Sequence, residues 1–290
     1  MLLPLLLVSA HAADVPSFYL RQSLGVAGFP TGVISETRFQ VRTPLYRSDS
    51  MVFQDTYAGA GLRLDLSPAF ANPGVQVSLA PIDIFDVDLS ATMIGYFPGP
   101  FGPLPYDGLS SKLETVRDER EDHTAVVGYS LDAAPTLKLK VGPIIGFDAV
   151  AISYIHLAQP AGVTAPYVYD PLRDLIVAWD EVYLEHQPAL LYEAMPGGEK
   201  PLLYFGASWR QRYAFVSGDR SGALGALLVA RPGVKPIIPT IIGFAAFYLI
   251  DQDRVGKAPF LGMQANWILE PPLKKAPGPS PASSESLATQ

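Results

Sequence analysis

Apolar and polar residues alternate one by one along most of this chain, and that alternation limits its fold more than any other feature. In 38–45, Phe39, Val41 and Leu45 alternate with Arg38, Gln40 and Arg42. In 62–66, leucines alternate with Arg63 and Asp65. In 85–93, Phe85, Val87, Leu89, Ala91 and Met93 alternate with Asp86, Asp88, Ser90 and Thr92. The pattern returns in 137–141, around Lys138 and Lys140, in 203–215, around Arg210 and Arg212, and in 261–269, around Gln264 and Asn266. A period of two is the signature of a pleated strand with one face in apolar surroundings and the other in polar ones. Helical periodicity is nearly absent.

The alternation leaves a large apolar surplus to be placed. The chain is 49% hydrophobic, with a mean hydropathy of +0.20. Its longest apolar run, 237–250, contains Pro239 and falls short of the about 20 residues a membrane helix needs. The surplus therefore belongs in a soluble core or on the outside of a barrel. With 28 Pro and 25 Gly, the chain is built for many turns. The absence of Cys excludes disulfides, thiolate metal sites and Cys nucleophiles. A formal charge of −7, with no basic stripe, argues against nucleic acid as a partner. At the N-terminus, the apolar stretch 2–8 followed by Ala10-His11-Ala12 predicts a signal peptide over 1–12, although a positive n-region is missing. Beyond it we expect an N-terminal periplasmic segment over 13–36, a barrel over 37–270, and a disordered tail over 271–290 rich in Pro, Ser, Ala and Lys.

Soluble β-sandwiches alternate too, so a secreted binding sandwich is the competing architecture. Three features favour a barrel: long segments, aromatics near their ends, and turns that are by turns short and Pro-rich or long and polar. A faint repeat relates 75–86 to 137–148, each reading as strand, Pro-marked turn, and a strand opening with Phe-Asp. Those turns, at 81–83 and 142–144, together with 195–201 and 231–233, are expected on the periplasmic side. The outer loops then fall at 47–55, 98–123, 158–174, 217–221 and 251–257. This makes an all-β, antiparallel up-and-down barrel of about ten strands. Twelve is the alternative if Ser67-Pro68 and Asn72-Pro73-Gly74 mark a real turn.

Taken together over roughly 30–270, these features resemble the outer-membrane β-barrel proteins of Gram-negative bacteria. The resemblance is architectural, and no motif of a specific family accompanies it. It implies location in the cell outer membrane, contact with its lipids and lipopolysaccharide, and insertion by the barrel-assembly machinery. The last strand, ending at Trp267-Ile268-Leu269, departs from the pattern in being followed by a tail.

The charged residues of the alternating segments should face the lumen. Asp86 and Asp88 stand at the height of Lys138 and Lys140, and Glu181 and Glu185 at that of Arg210 and Arg212, each set on neighbouring strands where opposite charges meet directly. About ten strands lie near the size at which side chains fill the interior. The expected function is thus a non-enzymatic barrel, either a narrow or charge-plugged pore or a structural protein, with no cofactor, metal or catalytic residue. Trp179, Trp209, Trp267, Tyr96, Phe97, Phe101 and Tyr106 read as aromatics at the membrane interfaces. The rival enzymatic reading is an outer-membrane hydrolase with a rim site near His123, beside Asp118, Glu119, Glu121 and Asp122. Against a Ser–His pair, Ser153 and His156 share no face of a strand, and His156 and His186 are structural residues or lumen lining.

Overall fold

The computed structural model describes residues 16–28, 31–45, 56–99, 102–108, 125–196, 202–232, 238–250 and 260–269. The strands are β1 (Ser17–Gly28), β2 (Thr31–Pro44), β3 (Tyr57–Ser67), β4 (Phe70–Ile82), β5 (Phe85–Tyr96), β6 (Leu104–Tyr106), β7 (Val126–Val141) and β8 (Ile144–Leu157). They continue with β9 (Tyr167–Asp170), β10 (Leu175–Ala178), β11 (Asp180–Pro196), β12 (Leu202–Ala214), β13 (Arg220–Arg231), β14 (Thr240–Ile250) and β15 (Phe260–Leu269). Twelve of them close an antiparallel barrel in the order β1-β15-β14-β13-β12-β11-β8-β7-β5-β4-β3-β2. The remaining three form a small sheet, β10-β9-β6.

The strand number is twelve rather than ten for two physical reasons. Pro68 and Ala69 make a real turn, with Ser67 paired to Phe70, so the long stretch 56–80 is a hairpin. The segment 17–28 is a wall strand, and 31–36 begins the next. β1 pairs along its length with β2 and also with β15, which closes the sheet and removes its edges. The barrel thus begins at Ser17, inside the segment expected to lie free in the periplasm. Residues 47–55 lie outside the described residues. The strands they join, β2 and β3, meet them at the same barrel end as the 83–84 and 142–143 turns, not at the end of the long loops. The expected signal peptide and C-terminal tail lie outside the described residues as well.

We call the two rims the turn end (83–84, 142–143) and the loop end (97–125, 158–179). The turn between β7 and β8 is tight because Gly142 takes φ of 58°, a left-handed conformation that glycine adopts without a Cβ clash. Along the wall, apolar side chains point outward: Leu62, Val75, Val77, Leu89, Leu131, Leu139, Leu224, Leu228 and Met263 are all exposed. Aromatic pairs mark the two ends of this apolar band. Phe18 with Phe39 and Tyr192 with Phe205 stand toward the turn end, and Tyr129 with Tyr154 and Tyr213 with Phe215 toward the loop end. An apolar belt between two aromatic girdles is the outer surface of a barrel that spans a bilayer. A closed barrel meets the bilayer's demand that every backbone polar group be paired within the protein. Among the described residues there is no helix long and apolar enough to cross a membrane.

Candidate functional site: a lumen sealed at the loop end

Inward positions carry the site, and they change character along the barrel axis. At the loop end the lumen is apolar. Phe70, Ile94, Tyr96, Val126, Ile155, Leu157 and Tyr183 of the wall pack with Val168, Leu175, Val177 and Trp179. The last four belong to the connection 158–179, with 158–174 expected as an outer loop. It folds instead into the hairpin β9–β10, and β6 adds to its edge through Leu104↔Tyr169 and Tyr106↔Tyr167. The other face of this small sheet buries Leu104, Tyr106, Tyr169 and Ile176. Period-two alternation is present in 167–178 as well, but both faces are apolar, the mark of a strand buried on both sides. Trp179, Tyr96 and Tyr106 are accordingly plug and core residues, not interface aromatics; the Trp179 indole donates to the Ala165 carbonyl at 2.9 Å. Phe101 lies outside the described residues.

A polar layer fastens this plug to the wall. Asp170 ends β9 and accepts from the Leu172 and Arg173 amides, shaping the hairpin turn. It also accepts from the Tyr96 hydroxyl and, at 2.6 Å, from the Arg173 guanidinium. Burial works against the charge of Arg173, but Asp170 more than offsets it and holds the guanidinium well above its ordinary pKa. Arg212 of β12 donates both to the Arg173 carbonyl and to Glu185 of β11. Glu181 is fully buried and collects four backbone amides: Ala178 at 3.2 Å, Val182 at 3.0 Å, Val216 at 2.7 Å and Ser217 at 2.9 Å. It thereby ties the plug, β11 and the 215–219 turn to one carboxylate. The amide of Ile176 donates to Asp219 at 2.7 Å from the same turn.

Toward the turn end the lumen is charged. Arg21, Arg38 and Arg63 are direct cross-strand neighbours on β1, β2 and β3. Like charges in that relation repel, and carboxylates offset them: Arg63 meets Asp65 at 2.7 Å, while Arg38 has Glu36 at 3.9 Å and Asp88 at 3.8 Å. Arg42 lies between the rings of Tyr19 and Tyr57, 3.4 and 4.1 Å from their centroids. Of the eight residues expected to line the lumen, the structure brings together Lys138 with Asp86 and Arg212 with Glu185. Lys140 goes to Glu193 at 2.6 Å rather than to Asp88, which takes the Ser78 hydroxyl and Arg38. Glu181 is bound to amides and not to Arg210. Sequence height above a turn missed these partners because it ignores the stagger between strands. The row Arg21–Arg38–Arg63 is not legible in the sequence because β1, with Arg21, Gln22 and Ser23 in succession, lacks the alternation that marks a strand. His156 and His186 point outward, not into the lumen; His156 bonds Asp180 at 2.7 Å and His186 bonds Asp148 at 2.8 Å. Ser153 is buried on the inner face, away from His156. The acidic loop around His123 lies outside the described residues.

No protein-family model and no curated protein sequence matches the chain. Solved structures do overlap it. The β domain of the Bordetella autotransporter Brka is 11% identical with a TM-score of 0.47, over 88% of this chain and 100% of that one. LpxR from Salmonella typhimurium is 8% identical with a TM-score of 0.37, over 87% and 99%. The outer membrane protein OmpT of Vibrio cholerae, in its trimer form, is 8% identical with a TM-score of 0.34, over 89% and 100%. The chain's own surface carries the assignment: a closed antiparallel barrel with an apolar belt between aromatic girdles is an outer-membrane β-barrel, located in the cell outer membrane.

Proposed function

We propose that this protein is a non-enzymatic outer-membrane barrel whose lumen is closed at rest, with an apolar plug at the loop end and an ion-paired, arginine-lined lumen toward the turn end. The observation that carries this reading is the burial of Val168, Leu175 and Val177, each at 0% exposure, against the inward side chains of the barrel mouth. Ions cross apolar constrictions poorly because such constrictions shed water. The charges sit below the plug and most are paired, which suits an interior held in place more than a wide aqueous path. A solute would pass only if β9–β10 moved, against the Glu181, Arg212 and Asp170 contacts that hold it.

The test is conductance of the refolded protein in a planar bilayer. The intact chain should be silent or nearly so. Replacing 159–178 by a short turn should give steady conductance, and Val177→Asp, which puts a charge into the apolar seal, should give intermittent openings. Steady conductance of the intact chain would overturn the reading, and so would silence of both variants once each is shown to fold by its shift on an unboiled gel.

A further inference from the structure

The outer wall carries one feature that a lipid-facing surface should not. Asp148 of β8 and His186 of β11 point outward, their carboxylate and ring nitrogen 2.8 Å apart, with side chains 48% and 40% exposed. On the same two strands Ile144 pairs with Tyr192 at the turn-end girdle, and His156 with Asp180 near the loop-end girdle. Asp148 and His186 fall between them, inside the apolar belt. Gln211 stands directly across from His186 on β12. Ionisable groups at this depth are costly and mark sites of function.

The wall is altered at the same level. Pro135 of β7 and Pro188 of β11 are outward-facing and have no N–H to give to a ladder. Pro135 is cross-strand to Val87 and Pro188 to Asp148. The β7–β8 register passes from Ala133↔Ile152 to Thr136↔Ala149, and the β11–β12 register from His186↔Gln211 to Ala189↔Ser208, each skipping a proline. Polar side chains and interrupted ladders thus coincide on one face.

A second polar group on the outer wall provides a contrast. Gln22 of β1 donates to Ser35 at 2.9 Å and accepts from Thr37 at 2.6 Å, so that cluster satisfies itself. It lies on the far side of the barrel, with four strands between it and the Asp148 face in either direction. Asp148 and His186 satisfy each other through one atom apiece. The second carboxylate oxygen and the second ring nitrogen have no hydrogen-bond partner among the described residues.

We propose that the Asp148–His186 face is an interface between two copies of this chain related by a two-fold axis. An acid and a base side by side on one patch are complementary to the same patch rotated by half a turn. In such an isologous contact residue i meets j and j meets i. Asp148 of each copy then meets His186 of the other, Gln211 lies at the border, and the pair leaves the lipid. Polar side chains hydrogen-bonding across transmembrane elements are an established source of association in membranes. The interface depends on the barrel's membrane placement and not on whether the lumen is plugged.

The chain contains no Cys, so single cysteines report proximity without background. Val150→Cys and Leu184→Cys place a thiol beside the proposed axis, and Leu24→Cys places one on the opposite wall. Each is expressed in outer membranes, oxidised with copper phenanthroline and run on a non-reducing gel. Val150→Cys and Leu184→Cys should give a band at twice the chain mass, at least about tenfold stronger than that of Leu24→Cys. Adding Asp148→Leu and His186→Leu to Val150→Cys should cut that band several-fold while the monomer keeps its heat-shifted mobility. The proposal is overturned by absence of the dimer band from both near-axis variants, or by a band at the mass of another membrane protein. It is likewise overturned by crosslinking between co-expressed Val150→Cys and Leu24→Cys chains, which would show head-to-tail contact, or by an unchanged band in the leucine variant.

Discussion

Glu181 shows how much can depend on one side chain. Its carboxylate takes amides from three separate segments: the end of β10, the start of β11 and the 215–219 turn. No residue type other than a carboxylate presents enough lone pairs in that space without bringing its own donors. Hydrogen bonds to a charged acceptor contribute about 1.5–3 kcal/mol each, and amides left buried without one add a penalty. Glu181→Ala should therefore cost about 3 kcal/mol or more of unfolding stability in detergent, read as a fall in the thermal midpoint of heat modifiability. Glu181→Gln, which keeps one acceptor oxygen, should cost less. Equal, near-zero losses in both would show that the carboxylate is not the fastener that its contacts describe. The residue was expected as one half of an ion pair, and only the fold shows that its partners are backbone.

Between residue and barrel lies the strand, where a single inserted residue decides which face meets lipid. The repeat 75–86 and 137–148 suggests that Asp86 and Asp148 hold equivalent places, yet Asp86 is inside and Asp148 outside. The β4–β5 ladder shifts register between Leu79 and Ile82, whereas β7–β8 turns tightly, with Val141 paired to Ile144. One irregularity in a period-two element moves every following side chain to the other face. Elsewhere the alternation holds, and a direct comparison is available on β5. Leu89 points outward and is 49% exposed, while its neighbour Ser90 points inward and bonds Asp132 at 3.1 Å. Leu89→Arg should cost about 2–4 kcal/mol as a charge in the lipid belt. Ser90→Arg, placed beside the Asp132 carboxylate, should be tolerated better. The measurement is unfolding free energy in lipid vesicles, and equal costs at the two positions would contradict the assigned faces.

For the whole molecule, closure of twelve strands through the β1–β15 pairing predicts a two-state gel behaviour. The unboiled protein should migrate apart from the boiled one, and truncation of β1 should abolish the difference; identical mobility in both conditions would deny a closed barrel. The sequence alone determined the fold class, because long period-two strands with apolar outward faces have few solutions in which no edge is left open. It also determined the lipid-facing sides of the strands around Leu62, Leu89, Leu139 and Met263, which follow from local parity. The strand count was less legible: Pro68 could be read as a turn or as a kink, and β1 (Ser17–Gly28), with Arg21, Gln22 and Ser23 in a row, breaks the alternation that revealed the other strands. Tertiary structure alone decided the rest. Whether 158–179 lies over the mouth or inside it depends on the space enclosed by the closed wall, and its buried side chains fill that space. Partner choice among Asp88, Lys140, Glu181 and Arg212 depends on the stagger between strands, a property of closure that no single segment contains. The inward placement of Asp86, against the outward placement of Asp148, depends on one register shift in the β4–β5 ladder, which local sequence cannot fix because the shift becomes visible only when the neighbouring strand is in place.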